Sequence, residues 1–149
     1  MKNHIFARIK EYNALWRETT AIYEEWAKAR GFSYYELLVM LSINEMENKC
    51  TQKEICREWF LPKQTVNTIL QNFLKKEWIN FVPMESDKRN KLIIMTDIGE
   101  KHIKKICAEL NKNEYRAWEK LGEEMGKTML KGTSLYNKFF KEGEPDESL

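Results

Sequence analysis

The residues Lys63, Gln64, Thr65, Asn67, Thr68, Gln71, Asn72 and Lys75 lie within one short stretch, and no acid stands between Pro62 and Lys76. Amides and hydroxyls both donate and accept hydrogen bonds, and ammonium groups add charge. Base edges and phosphates call for that combination. A solvated helix face of an ordinary small domain mixes Glu with Lys instead. A second cluster follows at Ser86-Asp87-Lys88-Arg89-Asn90, where an acid precedes an arginine by two positions. As a solvated ion pair this would contribute less than about 1 kcal/mol.

Catalytic chemistry finds little footing. His4 and His102 are the two histidines and lie in different segments. G-x-S-x-G, a Gly-rich phosphate loop and H-E-x-x-H are all absent from the sequence. Acid pairs such as Glu24-Glu25 and Glu123-Glu124 point in different directions on a helix. Cys50, Cys56 and Cys107 have neither metal-ligand spacing nor a CxxC pair, and read as reduced thiols. No enzyme, no metal and no cofactor are expected.

The polar residues need a helix to present them, and its signals are present. Val66, Ile69, Leu70 and Phe73 follow i, i+3, i+4, i+7, which makes one apolar stripe. Gln64, Thr68, Gln71 and Lys75 then fall on the opposite side, with Lys63, Thr65, Asn67 and Asn72 flanking. Pro62 suits the first turn of this helix, where its missing N–H costs nothing. A shorter helix precedes it, opened by the capping box Thr51-x-x-Glu54 with Ile55 inward, and the chain turns at Trp59 to Leu61. Ile79–Pro83 and Lys91–Met95 are two β-type runs, and residues 84–90 between them read as a hairpin tip. Helix–turn–helix followed by a hairpin is the winged-helix arrangement.

Around this core the spacing predicts helices from about His4 to Arg30, stopped at Gly31, and from the capping box Ser33-x-x-Glu36 to about Met46. Leu37, Leu38, Leu41 and Met46 are expected on the inner side of the second. Cys50 and Thr51 suggest a very short first strand. A long helix from Thr96 to about Lys120 is expected to turn Ile98, Ile103, Ile106, Leu110, Ala117 and Leu121 inward. Gly122 allows a bend before a last helix, Glu123 to Lys141. Residues 142–149 read as a frayed acidic tail.

The chain has 149 residues, 42% hydrophobic and 32% charged, with a net charge of +2. Its charge distribution says more than its total, since residues 51–96 hold eight basic against five acidic side chains. That surplus sits on the polar helix and hairpin, as for a nucleic-acid contact. No apolar run of membrane-spanning length and no signal peptide appear. A cytoplasmic protein is expected.

The chain LPKQTVNTILQNFLKKEWI, the hairpin SDKRNKLIIMT and the following DIGE resemble the MarR-type winged-helix transcription regulators. The likeness is specific from about Thr51 to Glu100. It implies a mainly α fold with a small β-hairpin, an α+β winged helix-turn-helix at residues 31–100. N-terminal (1–30) and C-terminal (101–141) helices would flank it and form a homodimer. It also implies that the acid at Asp87 orients Arg89, which enters the minor groove. Pro62, Lys63, Gln64, Thr65, Asn67, Thr68, Gln71 and Lys75 become the DNA-reading helix, and Ser86, Asp87, Lys88, Arg89 and Asn90 the wing. Family members carry an effector pocket between the dimer helices and the reading head, for which Trp16, Tyr23, Trp26, Tyr34 and Tyr35 are candidates.

The expected function is a homodimer binding double-stranded DNA at a near-palindromic operator, with repression the expected direction and a small-molecule effector as a further partner. The alternative is a winged helix that binds a protein or RNA. Exposed amides instead of large apolar side chains on the second helix separate the two.

Overall fold

The computed structural model describes residues 2–87 and 89–143, without the side chains of Lys2 and Asn3. Lys88 and most of the acidic tail, 144–149, lie outside the described residues. The elements run α1 (Lys2–Lys28), α2 (Tyr34–Glu45), β1 (Cys50–Thr51), α3 (Gln52–Trp59), α4 (Lys63–Lys75), β2 (Ile79–Pro83), β3 (Lys91–Met95), α5 (Asp97–Leu121) and α6 (Glu123–Glu142). They form two compact units, residues 1–107 and 108–149.

Both capping boxes form in the first unit. Ser33 Oγ accepts from the Glu36 N–H at 3.1 Å while Glu36 Oε2 accepts from the Ser33 N–H at 2.7 Å. Thr51 and Glu54 repeat the exchange at 3.3 and 2.8 Å. Each satisfies donors that a helix start leaves without partners. Gly31 ends α1 at a φ of +85°, and the Phe32 N–H reaches back to the Ala27 carbonyl at 3.1 Å.

The three strands make an antiparallel sheet in the order β1-β3-β2. Ile79 pairs with Met95 and Pro83 with Lys91, while Cys50 pairs with Ile93. Leu37, Met40 and Ile43 of α2, Ile55 of α3, Leu70 and Phe73 of α4, and Ile79 and Ile93 of the sheet are fully buried. Each such side chain stabilises the fold by roughly 1.5–3 kcal/mol relative to exposure.

Helix α2 departs from the expected single stripe. Val39, Met40, Ser42 and Ile43 are buried as well as Leu37 and Leu38, while Leu41 and Met46 are half-buried. The helix touches α1, α3 and α4, so it needs apolar residues on nearly every side. Its one buried polar side chain is satisfied: the Ser42 hydroxyl donates to the Glu58 carboxylate and accepts from Trp59 Nε1 at 2.7 Å. That joins α2 to the end of α3.

At the start of α5, Thr96 Oγ1 accepts from the Gly99 N–H at 3.0 Å and donates to the Glu77 carbonyl at 2.6 Å. Gly99 lies so close to Trp78 that an added Cβ would sit 1.8 Å from the Trp78 carbonyl oxygen. Ile98 is 60% exposed, against the inward placement expected. It precedes the contacting Gly99 by one position, and the 100° step of the helix turns it to solvent. Ile103, Ile106 and Cys107 are buried.

In the second unit Leu110 is buried, but Ala117 and Leu121, also expected inward, are exposed. Gly122, at a φ of +79°, separates α5 from α6. Gly126 is buried, and a Cβ there would lie 3.0 Å from the Trp118 ring. Met125, Met129, Leu130, Phe139 and Phe140 on α6 are exposed. So are Ile5, Ile9, Leu15, Trp16 and Ile22 on α1 of the first unit. Among the described residues no helix is long and apolar enough to cross a membrane.

Candidate nucleic-acid interface

Helix α4 has the two faces its spacing predicts. Val66, Ile69, Leu70 and Phe73 are buried, while Lys63, Gln64, Thr68, Gln71, Asn72 and Lys75 are exposed and Thr65 and Asn67 half-buried. Pro62 stands one position earlier than expected. With φ −60° and ψ 140° it is the N-cap, not the first helical residue. Its carbonyl accepts from the Val66 N–H at 3.2 Å, as an N-cap carbonyl does. The Thr68 hydroxyl donates to the Gln64 carbonyl at 3.0 Å, which leaves its lone pairs outward.

Helix α3 sorts its charges in space. The Glu54 carboxylate is folded back on Thr51, and that of Glu58 bonds Ser42. Lys53 and Arg57 remain exposed. Opposite them the hairpin tip is ordered by one acid. Asp87 Oδ1 accepts from the Arg89 backbone N–H at 3.0 Å, Oδ2 accepts from Asn90 Nδ2 at 3.1 Å, and the Asp87 carbonyl accepts from the Asn90 N–H at 3.1 Å. This is the local side-chain-to-backbone bonding that Asp favours in turns. Among the described residues Asp87 holds the main chain of Arg89, not its guanidinium. Ser86 is exposed beside it.

Between α3, α4 and the hairpin lies a groove of about 490 Å³. Lys53 and Lys63 line it from the helices, Arg89 and Lys91 from the hairpin, and Asn67, Gln71 and Asn90 supply amides. Among the described residues, no acid lines it. Gln52, also in its wall, donates through Nε2 to the Lys63 carbonyl at 3.1 Å and so ties α3 to the start of α4. Phe81 forms part of the wall, with the Lys91 ammonium 6.0 Å from its ring centroid. Of the groove's lining residues, Lys63, Asn67, Gln71, Arg89 and Asn90 are expected from the sequence, while Gln52, Lys53, Phe81 and Lys91 are not. Of the missed residues, only the β3 register, which sets Lys91 opposite Pro83 beside the tip, was a signal. Gln64, Thr65, Thr68 and Lys75 lie on α4 outside the groove wall.

The candidate effector residues divide. Tyr34 lies 6.3 Å from Tyr23 and 6.1 Å from Tyr35, ring centroid to centroid. A cavity of about 380 Å³ borders Tyr34 and Tyr35, with Glu24, Lys28, Phe32 and Ser33 completing its wall. Burial, then the Glu24 carboxylate, raises the Tyr34 phenol above its usual range. Trp26 is engaged elsewhere, with the Arg30 guanidinium 3.7 Å over its ring, and its buried Nε1 has no hydrogen-bond partner among the described residues. Trp16 is 66% exposed and is not in the cavity wall.

The thiols are held protonated. Burial pushes Cys50 up to about 12 and Cys107 up to about 11. Cys56, in the groove wall, is also raised by burial, against its backbone hydrogen bond and the Lys63 charge. All three are free thiols. Among the described residues no cluster of His, Cys, Asp and Glu is fit to hold a metal ion.

Residues 31–90, from the end of α1 to the hairpin tip, match the sequence model of the MarR family. Solved structures of that family share the fold across nearly the whole chain. A MarR family regulator from Neisseria meningitidis superposes with a TM-score of 0.78 at 16% identity, over 91% of this chain and 94% of that one. Staphylococcus aureus MarR, solved with salicylate and kanamycin, gives 0.70 at 15% identity, over 96% and 97%. Streptococcus pneumoniae FabT, solved with DNA, gives 0.67 at 22% identity, over 93% and 99%. No curated protein matches the chain by sequence. Residues 31–90 are thus similar to the MarR family, and the chain shares the winged-helix fold of those structures, mainly helical with a small antiparallel sheet.

Proposed function

We propose that the protein is a cytoplasmic transcription regulator that binds double-stranded DNA as a homodimer at a near-palindromic operator, with repression its expected direction. The observation that carries this reading is the groove between α3, α4 and the hairpin, with four cations, four amides and, among the described residues, no acid in its wall. Phosphates need the first and base edges the second. On this reading α4 enters the major groove, with Gln64 and Thr68 on its first turns, and Arg89 on the hairpin reaches the flanking minor groove. Arginine suits that groove because its weak hydration lowers the cost of entry. The apolar faces of α1 and α6 would be covered by a second copy. S. aureus MarR is bound to salicylate, which supports reading the cavity beside Tyr34 and Tyr35 as an effector site here too. No catalytic role is proposed.

A protein-binding or RNA-binding winged helix fits less well. The exposed face of α4 offers Gln, Asn and Thr instead of large apolar side chains, and the major groove of an RNA helix is too narrow for a helix to enter. A shift assay with duplex DNA, single-stranded DNA and a structured RNA of equal length separates the readings. Preference for duplex supports DNA regulation. Equal or stronger binding to RNA points to the alternative.

A further inference from the structure

We infer that Phe60 makes a non-polar contact with the duplex beside the entrance of α4, an inference that rests on the DNA-binding reading above. Phe60 closes α3 in the left-handed region, at φ 53° and ψ 37°, and is 93% exposed. Such a position is usually filled by glycine, because a Cβ there is crowded by the following carbonyl. Glu47, Asn48 and Glu77 also take positive φ, but they are polar, and Asn48 uses its side chain to bond the Met95 N–H at 2.9 Å. Phe60 is therefore a large apolar side chain at a strained position with almost no cover from its own chain.

The other strongly exposed apolar side chains are concentrated on the faces of α1, α5 and α6, where a helical stripe explains them. Phe60 belongs to no stripe. The turn it occupies is pinned to α3 by the Leu61 N–H, which donates to the Cys56 carbonyl at 3.1 Å. Lys53 and Arg57 stand exposed on the preceding helix and Lys63 on the following one. The α3 carboxylates, Glu54 and Glu58, are bonded to Thr51 and Ser42. An exposed phenyl on the turn between two helices that carry exposed cations, with the local acids bonded within the protein, suits the surface of a nucleic-acid strand. There the cations meet phosphates and the ring covers the apolar parts between them, deoxyribose or the thymine methyl group.

The test uses the full chain and a duplex that the wild-type protein has selected from a randomised pool. Phe60→Gly removes the ring and the crowded Cβ, and Phe60→Asn removes the ring with a residue that tolerates the same backbone. Both should keep the wild-type thermal midpoint or better it, and both should bind the duplex about tenfold more weakly, as loss of a buried phenyl contact implies. The slope of log Kd against log salt should not move, because no charge is lost. Phe60→Leu should recover much of the loss. Replacing thymine by uracil distinguishes the two apolar partners: wild-type binding falls if the methyl is touched and holds if the sugar is, and either agrees with the contact. Wild-type affinity in Phe60→Asn would overturn the inference while leaving DNA binding intact. Failure of the wild-type protein to prefer duplex at all would overturn the parent reading, and this one with it.

Discussion

The Asp87 carboxylate holds Arg89 by its main chain: Oδ1 accepts from the Arg89 N–H at 3.0 Å, while Oδ2 takes the Asn90 side-chain amide. The acid thus shapes the tip that carries the arginine and leaves the guanidinium available to a ligand. A negative charge facing phosphate is unfavourable in itself, so the hydrogen bonds explain its presence. This predicts that Asp87→Ala and Arg89→Ala each weaken duplex binding, and that the double variant loses clearly less than the sum. Asp87→Asn, which keeps the Oδ1 acceptor and drops the charge, should bind within a few-fold of wild type. Titration of the four proteins against one duplex decides; additive losses would mean that the two residues act independently.

The cations of the groove should appear in the salt dependence. Lys53→Ala, Lys63→Ala and Lys91→Ala are each expected to flatten the plot of log K against log salt by about 0.9. Lys105→Ala, on α5 and outside the groove wall, should leave the slope as it is. Isothermal titration at several salt concentrations reads it. Equal slopes in all four variants would remove the groove from the interface.

Gly99 is a packing requirement, since a Cβ there would lie 1.8 Å from the Trp78 carbonyl oxygen. That atom is backbone and cannot swing away. Gly99→Ala should destabilise the protein by about 3 kcal/mol, at the upper end of overpacking changes. Urea denaturation of wild type and variant measures it. A loss under about 0.5 kcal/mol, the range of neutral surface changes, would show that α5 can shift without cost.

His102 predicts a pH dependence of stability. Its ring lies 4.2 Å from Trp78 and 5.8 Å from Phe32, and its buried Nε2 has no hydrogen-bond partner among the described residues. Burial, with the charges of Lys76 and Lys105, lowers its pKa below the ordinary 6.5. The folded state therefore binds the proton less readily than the unfolded chain, and stability falls as pH drops below about 6.5. Denaturation midpoints at pH 7.5 and 5.5 should differ, and His102→Gln should reduce the difference. An unchanged difference in that variant would assign the pH effect to other groups.

Much of the fold was legible because its signals are local. Ser33 with Glu36 and Thr51 with Glu54 mark helix starts in four residues, and the strands Ile79–Pro83 and Lys91–Met95 are β-type runs on either side of a short polar tip. What escaped depends on neighbours distant in sequence. Val39, Met40 and Ile43 are buried because three helices surround α2, which its own periodicity does not record. Ile98 faces solvent because Gly99 meets Trp78. The face of α4 could be read from 13 residues, but the groove also needs Gln52, Lys53, Phe81 and Lys91 from α3, β2 and β3. Their meeting is set by tertiary packing. The Asp87 bond to a main-chain N–H likewise differs from a side-chain pair only in space.

On the proposed function, α4 of each of two copies enters a major groove. Methylation interference on a selected duplex tests it directly, because guanine N7 lies in the major groove and adenine N3 in the minor. Interference is expected at guanine N7 in two half-sites about 10 base pairs apart, centre to centre. In Gln64→Ala, affinity should fall by about 1–3 kcal/mol on the selected duplex and much less on random DNA. Interference confined to adenine N3, or a specific-to-random ratio unchanged by Gln64→Ala, would contradict major-groove reading by α4.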